Sequence, residues 1–276
     1  MRIVVTGVGG GLGRALMEVV PGHHDLVPLS HAELDVGDHD AVMRTVPSLR
    51  PDAIVNCAAF TAVDANESDP RRAFRVNAQG PHSLALAARS CTAALLHVST
   101  DYVFDGTKDA PYDETDEPQP LSVYGRSKLA AERFVRHTLT EHLIVRTGYV
   151  FGGGDDYLSR QVARLRRGED AAGLQDRVGS PTSVVHLAER LVPLILTHRW
   201  GTYHVAGPMA ASWYDVLRRC KELGGFGGSV VAQRAAELGL PAPRPEMSAL
   251  RSVFMENLSV PPFPPLDEAL LAFVGR

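Results

Sequence analysis

Short runs of aliphatic and β-branched residues alternate, through the first half of the chain, with longer segments whose apolar positions recur every three or four residues. "RIVVTG" (2–7) reads as a strand buried on both faces and closed by glycine, and "LGRALMEVV" (12–20) has helical spacing. "DLVPLS" (25–30) predicts a second strand and "HDAVMRTVPSL" (39–49) a second helix, its end marked by Pro51. "DAIVNCAA" (52–59) is the third strand. A long helix is predicted over "DPRRAFRVNAQGPHSLALAARS" (69–90), capped by Asp69 and opened by Pro70 in its first turn. "AALLHVST" (93–100) is the fourth strand, "SVYGRSKLAAERFVRHT" (122–138) a helix with an apolar stripe, and "LIVRTGYVF" (143–151) the fifth strand.

Strands and helices alternating at this length predict an α/β fold, a Rossmann-type doubly wound parallel sheet covered on both faces. From about Phe151 the alternation weakens. "DDYLSRQVARLRRG", "SVVHLAERLVPLILTH" and "SWYDVLRRCKELG" read as helices, "GTYHVAG" as a strand, and the tail is rich in proline. Open α/β sheets bind ligands at the carboxyl ends of their strands, so the second half is placed there as a smaller lobe.

Composition changes this picture little. A chain of 276 residues suits one large domain with an appended lobe. The net charge of −4 and the lack of a basic run argue against a phosphate-backbone footprint, so nucleic acid is not expected as a partner. The three cysteines, Cys57, Cys91 and Cys220, fit neither a disulfide framework nor a zinc pattern and read as small buried hydrophobes. The eleven histidines are scattered without ligand spacing, so no metal is expected. The chain opens on a strand and glycines, and nothing approaches the ~18 apolar residues of a membrane span. A cytoplasmic protein without a membrane partner is the expectation.

The glycines supply the first candidate chemistry. Gly7, Gly10 and Gly13 stand at G-x-x-G-x-x-G spacing between the first strand and first helix, with Gly11 and Leu12 in the same turn. Bare backbone there can approach a pyrophosphate, and the helix amino terminus offers it free N–H groups. A flexible glycine turn is the alternative, but the strand-turn-helix context is the one a dinucleotide needs. Residues 1–150 are therefore read as an NAD(P)-binding domain and 151–276 as mainly the substrate-binding lobe, with some return to the core. The second strand ends at Ser30-His31, without the carboxylate that would bind a ribose 2′-hydroxyl and repel a 2′-phosphate. With Arg14 in the first helical turn, this favours NADP(H) while leaving NAD(H) possible. Asp35 and Val36 are candidates for the adenine edge, although Asp35 equally suits capping the helix near Asp38.

Tyr124 and Lys128 stand four apart on a predicted helix and so share a face. An ammonium beside a phenol would lower its unperturbed pKa of ~10 and suit it to protonate a developing alkoxide. Thr100, at the end of the fourth strand, could hydrogen-bond the same oxygen. Tyr-x-x-x-Lys alone is most often a solvated helix face. Its weight comes from the order: glycine loop, strand-end hydroxyls, then the pair 24 residues after Thr100. The acidic cluster Asp113, Glu114, Asp116 and Glu117 is read as solvated loop charge or a helix cap. Trp200 and Trp213 are read as packing aromatics.

These segments resemble the extended short-chain dehydrogenase/reductase superfamily, and within it the dTDP-4-dehydrorhamnose reductase family. "NCAAFTAVDANESDP", "HVSTDYVFDG", "PYDETDEPQPLSVYGRSKLAAE", "VRTGYVFG", "GSPTSVVHLA", "GTYHVAG" and "RPEMSAL" carry the resemblance from residue 3 to about 250. It implies that Thr100, Tyr124 and Lys128 are the catalytic trio, and that Ala58, Ala59 and Thr61 line the cofactor. It further implies that Lys128 also holds the nicotinamide ribose, and that Asp101 and Tyr102 lie beside a nucleotide-sugar. Arg244 is a candidate for the substrate diphosphate, by paired N–H donors. The family's Ser-Trp pair is Gly148-Tyr149 here, which puts Tyr149 in the substrate-facing position; its Asp-Gln before "GSPT" is Asp176-Arg177. The late segments also diverge, at "ALRSVF" and "PFPPLDEAL". The implied reaction is reduction of the C4 ketone of a dTDP-4-keto-6-deoxyhexose by NAD(P)H, in a monomer or homodimer. The alternatives are a reductase or epimerase of another nucleotide-sugar or small carbonyl, and a non-catalytic regulator resembling that of methionine adenosyltransferase. Dehydration is disfavoured, because Thr100 is followed by one acid, Asp101, rather than an acidic pair.

Overall fold

The computed structural model describes residues 1–20 and 22–275. Six parallel strands form the central sheet: β1 (Arg2–Thr6), β2 (Asp25–Leu29), β3 (Ala53–Asn56), β4 (Ala94–Thr100), β5 (His142–Thr147) and β6 (Gly201–His204), in the order β6-β5-β4-β3-β1-β2. The chain leaves β1 toward one edge and returns to its other side at β3. That reversal opens a crevice at the carboxyl ends of β1 and β3, where a doubly wound sheet receives its ligand.

Each strand splits its apolar side chains between two layers. Ile3, Val5, Val55, Leu96 and Val145 pack under helices α1 (Gly11–Val19) and α6 (Val184–Leu196). Val4, Ile54, Leu95 and Ile144 pack under α2 (His39–Ser48), α3 (Gly80–Ser90) and Val135 of α4 (Val123–Thr138). Burying each such side chain contributes about 1.5–3 kcal/mol, enough to make this double covering the dominant stabilising term. Residues 184–204, in the second half of the chain, thus belong to the main sheet and its cover. A separate apolar cluster joins α5 (Tyr157–Arg166), α7 (Trp213–Gly224) and α8 (Leu266–Val274) through Leu158, Val162, Leu217 and Leu270.

Two rows of polar side chains cross this apolar sheet. Thr6, Asn56 and His97 are register partners on β1, β3 and β4, and Ser99, Arg146 and His204 on β4, β5 and β6. All six are at least nine-tenths buried.

Two predicted elements are broken where the site needs them broken. The helix expected over 69–90 contains a π-helical turn, Arg75–Gln79. It turns Asn77 inward to bond the Phe60 N–H (2.7 Å) and Ser127 Oγ (3.1 Å), tying the loop after β3 to α4. The fifth strand stops at Thr147; Tyr149 adopts φ +48°, and Val150–Phe151 pair with Thr182–Ser183 instead.

Candidate active site

Between β1 and α1 the backbone turns at Gly7, with φ +74°. A Cβ there would stand 2.6 Å from the Ala58 amide nitrogen, so only glycine lets the loops after β1 and β3 meet. The N-cap of α1 is Gly10, which has no side chain to cap the helix, and no acidic residue occupies its first turn. The helix therefore presents unoccupied N–H donors and its positive end to an anion. These features fit the pyrophosphate of a dinucleotide. Gly7→Ala would combine a left-handed penalty of about 1–2 kcal/mol with a backbone clash. We expect cofactor affinity by calorimetry to fall about tenfold or more; unchanged affinity would remove the loop from the binding site.

Two hollows flank this loop. The larger, of about 750 Å³, brings together Gly10, Gly11, Leu12, Gly13, Ala59, Thr61, Thr100, Asp101, Tyr124, Lys128 and Tyr149. The smaller, of about 350 Å³, is lined by Gly7, Asp35, Val36 and Ala58, together with His31, Arg72 and Arg75. Most residues named from the sequence thus fall around one continuous loop.

The candidate proton-handling group sits in the larger hollow. Ser122 caps α4 by accepting from Gly125 N–H at 3.1 Å, which sets the helix phase that aims Tyr124 at the cleft. Burial raises the Tyr124 hydroxyl to about 12; a hydrogen bond with Thr100 opposes this and the Asp101 charge reinforces it. Thr100 Oγ1 accepts from Tyr102 N–H (3.1 Å) and donates to Asp101 Oδ1 (2.9 Å). Asp101 also accepts from Ser248 Oγ, and burial pushes its carboxyl up to about 6 against those two bonds. Lys128 is 1% exposed and donates to the Val98 carbonyl at 2.6 Å. Burial lowers it to about 8, against the charge of Glu132 and, to a smaller extent, the neighbouring Cys57.

This corrects the expected electrostatics. The lysine does not pull the phenol down, because its amine turns under the helix toward β4. Burial drives both groups toward their neutral forms.

Several sequence expectations land elsewhere. Ser30 lines neither hollow; its N–H is held by Glu33 at 2.7 Å. Asp35 does not cap α2, since Asp38 accepts from Ala41 N–H, and Asp35 instead pairs with Arg75 at 2.8 Å. Arg14 is spent on the Gly9 and Gly153 carbonyls and lies outside the smaller hollow, where the cations are His31, Arg72 and Arg75. Tyr102 packs its ring edge-on to Tyr124, with centroids 5.9 Å apart. Arg244 holds Asp64 with both terminal nitrogens (2.7 and 3.1 Å) and lines a third hollow with Lys108 and Arg177.

Gly148 has its own reason. A Cβ there would lie 2.5 Å from Asp101 Oδ2, so the buried acid leaves no room for the family's serine. Tyr149 lies over Gly179 and stacks on Trp213 at 4.5 Å, so Trp213 is the packing aromatic expected and its ring backs Tyr149. The acidic cluster is no solvated loop either. Asp113 pairs with Arg251 (2.6 Å), Glu114 accepts from His204 N–H (2.8 Å), and Asp116 pairs with Lys108 (2.6 Å), so only Glu117 is left as free surface charge in that run.

Two residues with no signal in the sequence, Thr147 and Ser248, also belong to the site. Thr147 Oγ1 is buried in the larger hollow without a hydrogen-bond partner, and Ser248 fixes the far oxygen of Asp101. "VRTG" and "RPEMSAL" carried both residues in plain view, but nothing in their spacing marks a contact with Asp101 across 147 residues of chain.

Comparison with known proteins gives the family of this chain. A dTDP-4-dehydrorhamnose reductase of Mycolicibacterium smegmatis is 37% identical over 285 residues, covering 99% of this chain and 86% of the relative. The structure of a dTDP-4-dehydrorhamnose reductase from Clostridium acetobutylicum superposes with a TM-score of 0.96 at 34% identity, covering 100% of this chain and 99% of the other. One from Bacillus anthracis, solved in complex with NADP, gives 0.95 at 31% identity over 99% and 98% of the two chains. The description RmlD substrate binding domain matches residues 1–276 throughout, and the chain belongs to that family.

Proposed function

We propose that this protein reduces the C4 ketone of a dTDP-4-keto-6-deoxyhexose, as its dTDP-4-dehydrorhamnose reductase relatives are named for doing, with NADPH as the favoured reductant. The observation that carries the reading is the single hollow in which Thr100, Tyr124 and Lys128 meet the glycine turn. A bound reduced nicotinamide supplies the hydride. Tyr124 is kept protonated by burial, and so holds a proton ready for the alkoxide that forms at C4. Thr100, its rotamer fixed by Tyr102 N–H and Asp101, sets where that oxygen sits. Thr147 offers its unpartnered hydroxyl to the same space.

His31, Arg72 and Arg75 around the adenosine-end hollow favour a 2′-phosphate, since Asp35 is already neutralised by Arg75. Lys108, Arg177 and Arg244 line the hollow proposed for the substrate's diphosphate. The test is oxidation of NADPH on mixing with dTDP-4-keto-6-deoxy sugars. Turnover of other nucleotide-sugars alone would redirect the specificity. Tight NADPH binding with no carbonyl reduced would make the protein a regulator.

A further inference from the structure

His97 lies in the middle of β4, beneath the cleft, and is 0% exposed. Its Nδ1 is 3.0 Å from Asn56 Nδ2, and its Nε2 is 3.2 Å from Lys128 Nζ. The orientation of the Asn56 amide is determined by its other end. Asn56 Oδ1 accepts from the Ala58 backbone N–H (3.1 Å) and from Thr6 Oγ1 (2.7 Å). A backbone N–H can only donate, so the oxygen of the amide faces Ala58 and the NH2 faces His97. His97 Nδ1 must then accept, which places the ring proton on Nε2 and excludes the imidazolium. That Nε2–H points at a lysine nitrogen. Two donors facing each other at this distance repel; the contact becomes a hydrogen bond when the lysine nitrogen offers its lone pair.

We propose that His97 is a positioning residue that tunes Lys128: its Nε2–H, locked by Asn56, favours the neutral lysine, so that Lys128 exchanges a proton near neutrality instead of remaining a fixed cation. The inference rests on the reductase reading for its purpose, though not for its geometry. The groups opposing His97 are identifiable. Glu132, one turn on in α4, and Cys57, after β3, favour the ammonium. Glu132 is already engaged by Arg146 through Nε (3.0 Å) and Nη2 (2.7 Å), and the Cys57 thiol is pushed up to about 12 by burial and so stays neutral. Tyr124 and Asp101 share the hollow above. The proton balance is simple. Tyr124 gives its proton to the alkoxide and becomes tyrosinate; Lys128 reprotonates it through intervening hydroxyls or water and becomes the amine; solvent restores the ammonium. His97 stays neutral throughout.

The chain has three lysines, Lys108, Lys128 and Lys221, so an NMR titration of lysine labelled at Cε gives three resonances, with Lys128 assigned by Lys128→Arg. His97→Asn keeps an acceptor for Asn56 and removes the N–H at Lys128. The expected result is an upward move of the Lys128 midpoint by roughly one pH unit or more. The fall of kcat at high pH should move up in parallel, because reduction consumes the proton that Lys128 resupplies. An unmoved midpoint in a cooperatively folded His97→Asn protein would overturn the proposal. Should that variant not fold, the ¹⁵N shifts of labelled histidine in the wild type decide: protonated Nε2 and bare Nδ1 support the tuning, whereas a proton on Nδ1 sinks it. Both NMR readouts stand even if the wild type oxidises no NADPH, an outcome that would count against the reductase reading alone.

Discussion

Tyr124→Phe is expected to lower kcat for reduction of a dTDP-4-keto-6-deoxy sugar by about 10²–10⁴-fold, the range of a lost general acid. NADPH affinity should stay within about threefold, since the pyrophosphate is held by the glycine turn and the end of α1 rather than by the phenol. The substitution removes one oxygen and keeps the ring that packs edge-on against Tyr102, so the fold should be retained. Stopped-flow measurement of a single turnover separates the chemical step from product release. A variant retaining more than about a tenth of wild-type kcat would show that the proton comes from elsewhere, with solvent the first candidate.

The largest effect on stability is expected at Glu132. Its side chain is fully buried and accepts from Ser99 Oγ (2.6 Å) and from Arg146 through two nitrogens. Arg146 is itself 3% exposed. Glu132→Ala strands a guanidinium in the core beneath Phe104 and beside His204, which costs about 3–5 kcal/mol. Urea unfolding should show the full loss. The double variant Glu132→Leu/Arg146→Met should recover most of it, because the desolvated charges leave together. A loss below about 1 kcal/mol in the single variant would mean that water reaches Arg146.

The fold was legible because parallel strands buried on both faces announce themselves as continuous apolar runs, and "TGVGGGLG" sits where only a strand-turn-helix could place it. That the proposed trio shares one hollow was legible for a related reason: Tyr124 and Lys128 are neighbours on one helix, and Thr100 ends the adjacent strand. What the sequence hid are the contacts made at long range. Glu114 reaches residues 204, 252 and 253, and Arg244 reaches Asp64 across 180 residues. Side-chain direction was equally hidden. Helical spacing put Lys128 beside Tyr124, but the room beneath α4 and the waiting Val98 carbonyl turned its amine toward β4. The π turn at 75–79 had no signature either, since its cause is Asn77 finding partners in the distant loop after β3 and on α4.

The two polar rows across the sheet bear on how the chain folds. Strands as uniformly apolar as β1, β3 and β4 carry no in-out alternation, so sliding one past its neighbour by a residue would sacrifice little hydrophobic contact. Asn56 and His97 remove that degeneracy: misaligned by one step, each would face aliphatic carbon with its hydrogen-bonding groups stranded. The side chains that ready the lysine for chemistry therefore also proofread strand alignment during assembly, and a change there would show itself in refolding yield as well as in turnover.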